Sequence, residues 1–448
     1  MKNYEFNCSE QIAARGISLL SIMDMLPEEK KKEADKMIPE LLQQLFLRQL
    51  GDGGFGYWPG ASDADNWVSS MAGQFMVMAS QNGFSVSKGV LASWTRYQKK
   101  NIQSYRNNDG GNLKDLEQAY RLYTLALKGE PENGAMNRLK EGGNLSRQAT
   151  WMLASAYSVS GKKNIAKEML SNLKYDISEN EGHVRTYGSP DRDKAIALEA
   201  CALADLIPEA LDLAQEVSKA MAGEWYSTQE AAFITKAMNT LSSKVNTGIL
   251  SAEVTQGSNV MQVNTTKSVN NVNLDSRTGG VDIKNTSDGT IYATLVTSSV
   301  PERGTRTEAR SNGLTLNVSY VSDKGETINP ADIQQGTDFT VTITVGNISG
   351  IKDYAHLALT ESIPSGWEIF NDRLLSGESA GAIYDYRDIR DDRVTWHFDL
   401  PKGTAKTFKV KMRAAYSGEF SLPLVKCVAM YDSRISANTA SGTAIVSE

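Results

Sequence analysis

The spacing of apolar residues changes near residue 245, so the chain is limited to a helical part followed by a β part. From about residue 11 to 243, apolar residues recur at the three- and four-residue spacing of amphipathic helices, among many Ala, Leu, Met, Lys and Glu. Clusters of Gly, Pro and Asn interrupt this pattern about every 12 to 20 residues. The pattern predicts about ten to twelve helices that pair as short hairpins.

Three loosely similar segments of the helical part each lead into a predicted helix. They combine aromatic residues with Gly, Ser or Gln, and they are Gln49 to Trp58, Tyr187 to Ser189 and Trp225 to Gln229. Loose internal repetition of this kind is typical of a closed helical ring or a solenoid.

The β part begins after about Val245, where Thr, Val, Ser, Asn and Gly become frequent. Apolar and polar residues alternate, as in Thr340 to Val345, and turn signals separate short strands in the manner of a β-sandwich. The polar stretch at 302–313 divides this part. We therefore expect three domains, at 1–244, 245–302 and 303–448, and the middle one is too short for a sandwich of its own.

Charge and hydropathy exclude two classes of partner. The chain has 47 Lys and Arg against 53 Asp and Glu, a net charge of −6, so no nucleic acid partner is expected. No run reaches the roughly 18 apolar residues that a membrane span needs, and the first residues lack the apolar segment of a signal peptide. The chain as written is expected to be soluble.

The cysteine and histidine content leaves little material for familiar catalytic centres. The three cysteines are Cys8, Cys201 and Cys427, and the three histidines are His183, His356 and His397. They give no disulfide framework and no metal quartet, and a Ser-His-Asp triad would use one of the few histidines. We therefore predict no metal and no cofactor.

One short motif near the N-terminus offers a different chemistry. Cys8 and Gln11 are three residues apart, and in a helical turn such side chains lie on one face about 5 to 6 Å apart. If the thiol displaces ammonia from the Gln11 amide, an internal thioester forms and Gln11 becomes an electrophile. The alternative is that Cys8 is a small buried apolar residue ahead of a helix. Glu10 receives no chemical role, because an acid in the first turn is favoured by the helix dipole alone.

The segment YEFNCSEQIAAR at 4–15 resembles the thioester motif of the α2-macroglobulin and complement family, Cys-x-Glu-Gln after a short segment that contains aromatic residues. Gln49 to Trp58, with Asn66 and Trp67, is similar to the loop and helix start that follow the thioester in bacterial members. Further segments resemble later parts of the same family in the same order, namely Tyr187 to Ser189, Trp225 to Gln229, Ser362 to Ile369, Tyr386 to Val394 and Ala429 to Asp432. The resemblance thus covers nearly the whole chain.

The resemblance implies a multidomain α + β fold. It assigns 1–244 to an α/α-toroid thioester domain, a ring like that of the terpenoid cyclases, and 303–448 to a C-terminal macroglobulin-like β-sandwich. It assigns 245–302 to part of a CUB-like β-domain or to a β-linker. Family members are much longer, so the chain is identified as a C-terminal fragment that lacks the N-terminal macroglobulin domains and the bait segment.

The resemblance also implies a function and a place in the cell. Members of this family trap proteases: an amine of the protease attacks the acyl carbon, here that of Gln11, and the Cys8 thiolate leaves. The chain would be a broad-spectrum protease inhibitor that acts once and is no enzyme. Its partners would be target proteases and the missing domains, and its place a bacterial cell envelope, in the periplasm or on the surface, with a lipoprotein anchor on the full-length protein.

A thioester that must survive storage in water needs an apolar cover. We predict this cover from aromatic residues near the motif and in the sandwich: Tyr4, Phe6, Tyr57, Trp58, Tyr386 and Tyr431. Some complement-type members carry a histidine about a hundred residues beyond the motif, which directs attack toward hydroxyls. Here that stretch, 115–123, contains tyrosines and no histidine, so we predict a preference for amine nucleophiles.

Two other interpretations stay open. The ring is shared by terpenoid cyclases and prenyltransferases, and Asp63 with Asp65 is a weak counterpart of their aspartate-rich motifs. The chain could also be a surface adhesion or scaffold module without a live thioester.

Overall fold

Helices fill the first half of the chain and strands the second half, as the change of periodicity predicts. The computed structural model describes residues 6–106, 114–171, 186–221, 226–245, 248–267, 269–275, 278–289, 291, 293–300, 302, 305–348, 350–370 and 383–448. Contacts between residues that are close in space divide the chain into two compact units, Met1–Ser298 and Ser299–Glu448. In the described ranges no helix is both long and apolar enough to cross a lipid bilayer.

The helices of the first unit follow one another with short connections. They are α1 (Ser9–Ile22), α2 (Glu28–Phe46), α3 (Asn66–Gln81), α4 (Lys88–Ser104), α5 (Lys114–Leu127), α6 (Asn133–Glu141), α7 (Arg147–Val159), α8 (Lys163–Leu170), α9 (Pro190–Leu203), α10 (Ile207–Met221) and α11 (Thr228–Ser242), with a short 3₁₀-helix at Met23–Met25 after α1.

Side-chain caps fix where several of these helices begin. Asp65 accepts a hydrogen bond from the Val68 amide at 2.8 Å and starts α3. Ser227 and Glu230 form a reciprocal capping box at the start of α11. Such caps satisfy amide groups that have no partner within the helix, so the polar loop residues seen in the sequence determine the helix ends.

Alternate helices contact one another in a cycle. The contacts run from α1 to α3, α5, α7, α9 and α11, and from α11 back to α1. These helices are buried on most sides, whereas α2, α4, α6, α8 and α10 bury one face. Small residues allow close approach: a Cβ on Gly16 of α1 would lie 2.2 Å from the Phe75 ring of α3. A helix that is apolar or buried all round belongs in the interior, and an amphipathic one covers it.

A small antiparallel sheet ends the first unit. Its strands are β1 (Leu250–Gln256), β2 (Asn259–Thr265) and β3 (Asp282–Asn285), in the order β2-β1-β3. Ala252, Val254 and Val263 form its buried cluster, while Val260 and Ile283 are exposed.

The second unit consists of strands arranged in several sheets. They are β4 (Arg310–Asn312), β5 (Leu314–Ser322), β6 (Ile333–Gln334), β7 (Asp338–Asn347), β8 (Tyr354–Ser362), β9 (Trp367–Ile369), β10 (Tyr386–Ile389), β11 (Arg393–Leu400), β12 (Ala405–Ala414), β13 (Gly418–Leu422), β14 (Lys426–Ala429), β15 (Asp432–Asn438) and β16 (Gly442–Ser447).

Two larger sheets of this unit share one apolar core, which gives a β-sandwich-like arrangement. One sheet has the order β10-β11-β8-β14-β15-β4 and the other β5-β7-β12-β9, and a third, small sheet has the order β13-β16-β6. Val341 and Ile343 of β7 meet Trp396 and Phe398 of β11 in the core. The alternation along 340–345 therefore places Val and Ile inward, as the period of two requires.

Candidate functional site

Cys8 and Gln11 lie together at the start of α1. Cys8 is the residue before the helix and has an extended backbone (φ −74°, ψ 165°). Its Sγ accepts a hydrogen bond from the backbone N–H of Gln11 at 3.4 Å. Both residues are fully buried. The helix begins at the position that puts the two side chains in the same first turn, as their spacing predicts.

The side-chain amide of Gln11 is buried without a hydrogen-bond partner. Neither Nε2 nor Oε1 reaches a donor or an acceptor among the described residues. Leaving a buried polar group unpaired costs about 1 to 3 kcal/mol, and nearly all buried polar groups in proteins are paired. The first turn of α1 therefore carries a buried side-chain amide that lacks the hydrogen bonds such a group usually has.

The glycine-rich loop that was predicted to follow the motif supports this turn. The Ser9 amide donates to the Tyr57 carbonyl at 2.9 Å, and the Ser9 hydroxyl donates to the Gly56 carbonyl at 2.6 Å. Arg48 donates to the same hydroxyl at 3.4 Å. A Cβ on Gly56 would lie 2.7 Å from Ala61, so only glycine fits this close part of the loop.

Aromatic rings of the loop lie beside the motif. Tyr57 and Trp58 are both partly buried and meet edge to face at 5.0 Å. Tyr57 stacks on Tyr187 with ring centres 5.1 Å apart, and the Tyr187 hydroxyl donates to Asp65. Burial is the largest of the effects that raise the pKa of Tyr187 well above its ordinary value. The negative charge of Asp65 is the next largest, and Cys8 and Glu10 contribute less. Tyr187 is thus close enough to Cys8 to respond to its charge.

The other predicted cover residues lie in different surroundings. Phe6 is partly buried two residues before Cys8, and Tyr4 lies outside the described residues. Tyr386 and Tyr431 belong to the second unit, where Tyr386 stacks on His397 at 6.0 Å and Tyr431 meets His356 edge to face at 5.6 Å. A role for these four residues in covering the motif stays a prediction.

His397 lies in β11 between Trp396 and Phe398. Its side chain points away from the core that holds these two neighbours and is buried on the opposite face. Burial lowers its pKa to about 3, so the imidazole is neutral at physiological pH. His183 lies outside the described residues.

Glu10, for which the helix dipole alone was a sufficient explanation, is fully buried beside the motif. Its carboxylate accepts hydrogen bonds from the Thr228 hydroxyl at 3.0 and 2.8 Å and from the Gln229 amide at 2.7 Å. Cys8 donates from Sγ to Glu10 Oε2 at 4.0 Å. The segment around Thr228 was noted only as a helix opening, and nothing in a single sequence indicates that it contacts a residue 218 positions earlier.

Behind Glu10, Gln229 connects to a buried cation. Its side-chain oxygen accepts from Trp67 at 3.2 Å and from Arg192 at 3.5 Å. Arg192 pairs with Asp193 at 2.6 Å, and its guanidinium lies 4.8 Å from the Trp67 ring centre. The pairing and the ring face compensate for burying this charge.

Tyrosines occupy the stretch where a complement-type histidine was considered. Tyr120 donates to Gln74 at 2.5 Å and packs 4.6 Å from the Trp67 ring. Burial, with the charges of Glu199 and Glu10, raises the pKa of Tyr120 well above its ordinary value. Its hydroxyl is therefore neutral and supplies no nucleophilic base of the imidazole kind.

The aspartates of the cyclase interpretation have local structural partners. Asp65 caps α3 and accepts from Tyr187, while Asp63 accepts from Ser62 at 2.7 Å on the surface. In the described residues, no group of three or more His, Cys, Asp and Glu side chains is arranged to hold a metal ion.

Comparisons with known proteins find similarity to alpha-2-macroglobulins in each case. A family model described as the bacterial alpha-2-macroglobulin MG10 domain matches residues 313–433. The alpha-2-macroglobulin of Rickettsia conorii is 22% identical over 460 aligned positions, covering 96% of this chain and 24% of that protein. The alpha-2-macroglobulin of Escherichia coli K12 is 23% identical, covering 96% of this chain and 28% of that protein.

The chain is similar to bacterial alpha-2-macroglobulins over nearly its whole length. The crystal structure of native E. coli alpha-2-macroglobulin from domain MG7 to the C-terminus matches all of this chain and 74% of its own, with a TM-score of 0.77 and 19% identity. The structure of Salmonella alpha-2-macroglobulin reacted with methylamine matches all of this chain and 30% of its own, with a TM-score of 0.79 and 19% identity. The family resemblance is therefore confirmed in sequence and in fold. The chain spans about a quarter of the length of the alpha-2-macroglobulins it matches.

Proposed function

We propose that Cys8 and Gln11 form an internal thioester, and that the protein uses it to trap proteases covalently. The observation that carries this proposal is the buried, unpaired Gln11 amide in the same helical turn as the Cys8 sulfur. In the bonded form the amide nitrogen has left as ammonia and the acyl carbon is attached to Sγ, so the unpaired donor no longer exists. The free energy cost of burying an unpaired amide therefore applies only to the precursor, before the thioester has formed.

The surroundings suit storage of such a bond. Hydrolysis competes with capture, so a stored thioester must be kept from water. Cys8, Ser9, Glu10 and Gln11 are all fully buried, and the stack of Tyr57 on Tyr187 covers the loop that holds them. We infer that α1 to α11 form an α/α-toroid around this site, because their alternate helices contact in a cycle.

In the proposed reaction an amine of a protease attacks the Gln11 acyl carbon. A tetrahedral adduct forms, the carbon–sulfur bond breaks, and the Cys8 thiolate leaves with its charge at the positive end of the α1 dipole. The product is an amide between Gln11 and the protease. The site is used once, so the protein is an inhibitor and turns nothing over.

The relatives support a protease trap with further domains. They are alpha-2-macroglobulins about four times as long as this chain, so we propose that the N-terminal macroglobulin domains and a bait segment belong to the same polypeptide. The methylamine-reacted Salmonella structure is consistent with amine attack in a relative. The proposal places the protein in a bacterial cell envelope and 245–302 in a CUB-like β-domain.

Intact mass tests the thioester directly. The native chain should be one ammonia lighter than its sequence, and brief alkylation in denaturant near neutral pH should modify two of its three cysteines. Methylamine should add its own mass and make Cys8 the third site of alkylation. Cys8→Ser should abolish both effects, whereas Cys201→Ser, a matched change at another buried cysteine, should leave the mass loss intact. A wild-type chain of full sequence mass with unmodified Gln11 would refute the proposal.

A further inference from the structure

Glu10 presents its carboxylate to the sulfur of Cys8 from within the same helical turn. The Cys8 thiol donates to Glu10 Oε2 at 4.0 Å, while the backbone N–H of Gln11 donates to the same sulfur at 3.4 Å. The thiol proton is thereby directed at a carboxylate, and the sulfur lies in the same helical turn as Gln11. A proton acceptor in contact with a nucleophile is the arrangement that activates it.

We propose that Glu10 is a catalytic residue for closure of the thioester, taking the proton of the Cys8 thiol and returning it to the departing amide nitrogen. This inference rests on the proposed Cys8–Gln11 bond. It goes beyond the proposed function because it concerns how the thioester forms, whereas the trapping reaction concerns how the finished thioester is used.

The far side of the carboxylate is held in place by α11. Thr228 and Gln229, the first two residues of that helix, donate to it at 2.7 to 3.0 Å. These hydrogen bonds and the positive end of the α11 dipole favour the ionised carboxylate in a site without exposed surface. The Glu10 carboxylate is therefore held in a fixed orientation, which is what a buried general base requires.

Several titratable groups face this carboxylate from the elements packed around it. Cys8 lies on its own turn, and Tyr120 of α5 and Tyr187 before α9 both respond to its charge. Arg192 of α9 lies beyond Gln229 and donates a hydrogen bond to the side-chain oxygen of that residue, so a positive charge lies behind the Glu10 carboxylate. Both tyrosines have raised pKa values and stay neutral near pH 7, so neither competes with Glu10 as an acceptor of the thiol proton.

The closure reaction balances without a further reactant. Glu10 accepts the thiol proton, the thiolate attacks the Gln11 side-chain carbon, and negative charge moves to Oε1. The protonated Glu10 gives its proton to Nε2, the carbon–nitrogen bond breaks, and ammonia leaves. An amide nitrogen is a poor leaving group unless it is protonated, so the second transfer matters as much as the first.

Glu10→Gln tests the inference, because it keeps the shape of the side chain and removes the proton acceptor. The chain is made by cell-free translation, synthesis is stopped, samples are quenched in acid over time, and the fraction that is one ammonia lighter is measured by mass. We expect closure to slow by about 100-fold or more in Glu10→Gln. Its rate should also rise about tenfold per pH unit below the thiol pKa, whereas the wild-type rate levels off once Glu10 is ionised.

A second variant keeps the carboxylate and avoids reliance on one substitution. Thr228→Val removes one hydrogen bond that favours the ionised form, so the inflection of the closure rate should move up by about one pH unit. A merely structural role of Glu10 would not move this inflection. If Glu10→Gln fails to fold by circular dichroism, the Thr228→Val profile decides alone.

The outcomes separate the two proposals. Equal rates and pH profiles in wild type, Glu10→Gln and Thr228→Val would overturn the role of Glu10 and leave the thioester standing. A wild-type chain that never becomes lighter would overturn both.

Discussion

The ring of Tyr57 stacks on that of Tyr187 at 5.1 Å, joining the loop that supports Cys8 to the turn before α9. Tyr187 adopts a left-handed backbone (φ +51°), which glycine accepts more readily than tyrosine. The conformation is therefore held by the ring stack and by the hydrogen bond to Asp65. We therefore predict that this pair covers one side of the candidate thioester site.

Removing the Tyr187 ring should expose the site. Tyr187→Gly keeps the backbone conformation and deletes the stack, and we expect thioester hydrolysis to accelerate about two- to tenfold, since an aromatic pair contributes ~0.5 to 1.5 kcal/mol. Loss of the ammonia-light mass species over time in buffer measures this rate. Tyr187→Phe is the matched control, because it keeps the stack and loses only the bond to Asp65. Hydrolysis as slow in Tyr187→Gly as in Tyr187→Phe would rule out a covering role for the ring.

The site should react with amines in preference to hydroxyls. Tyr120 lies in the stretch where an imidazole was considered, and its hydroxyl is neutral and bonded to Gln74. Without an acyl-imidazole step, a weakly nucleophilic alcohol gains no advantage over an amine. Adduct yields with methylamine and glycerol at equal concentration should therefore favour methylamine. Faster capture of glycerol would contradict this prediction.

The fold could be predicted from the sequence where periodicity and capping decide it. The change near residue 245 separates helices from strands, and the helix starts at Asp65 and Ser227 follow from local hydrogen bonds. Contacts within one turn, such as Cys8 with Gln11, were also accessible, because helical geometry fixes them.

Contacts between distant segments could not be predicted in this way. The hydrogen bonds from Thr228 and Gln229 to Glu10, and the stack of Tyr187 on Tyr57, join helices far apart in sequence. They depend on how the helices pack, which residue spacing within a helix does not encode. This is why Glu10 looked like an ordinary acid of a first helical turn.

A buried ion pair inside the helical unit should be sensitive to the loss of one partner. Lys236 pairs with Glu199 and donates to Tyr123, and all three side chains are buried. Burial lowers the pKa of Lys236, while Glu199 opposes the change. Lys236→Met should destabilise the unit by about 3 to 5 kcal/mol in urea unfolding, because Glu199 stays buried without its cation.

The double variant separates the pair from its packing. Lys236→Met with Glu199→Leu removes both charges, so much of the lost stability should return. A double variant that is as unstable as the sum of both single changes would show that the two residues act independently.

Glu361 should make the second unit less stable as the pH rises. It lies in β8, is 1% exposed, and its Oε2 has no partner among the described residues. Burial raises its pKa to about 8 from an ordinary 4.5, so the folded state holds a proton that the unfolded state has lost between these values. The stability that this group contributes is thus fully present below pH 4.5 and is lost progressively as the pH rises from 4.5 to about 8. The total loss is about 5 kcal/mol.

Glu361→Gln should remove this dependence, because the amide stays neutral at every pH. Urea unfolding followed by tryptophan fluorescence at pH 5 and pH 8 measures the change, since Trp367 and Trp396 lie in the core of this unit. We expect the wild-type midpoint to fall between these pH values and the Glu361→Gln midpoint to move much less. Glu419→Gln, at an exposed position of β13, is the matched control and should behave like the wild type. A Glu361→Gln variant that loses as much stability as the wild type would show that other groups cause the pH dependence.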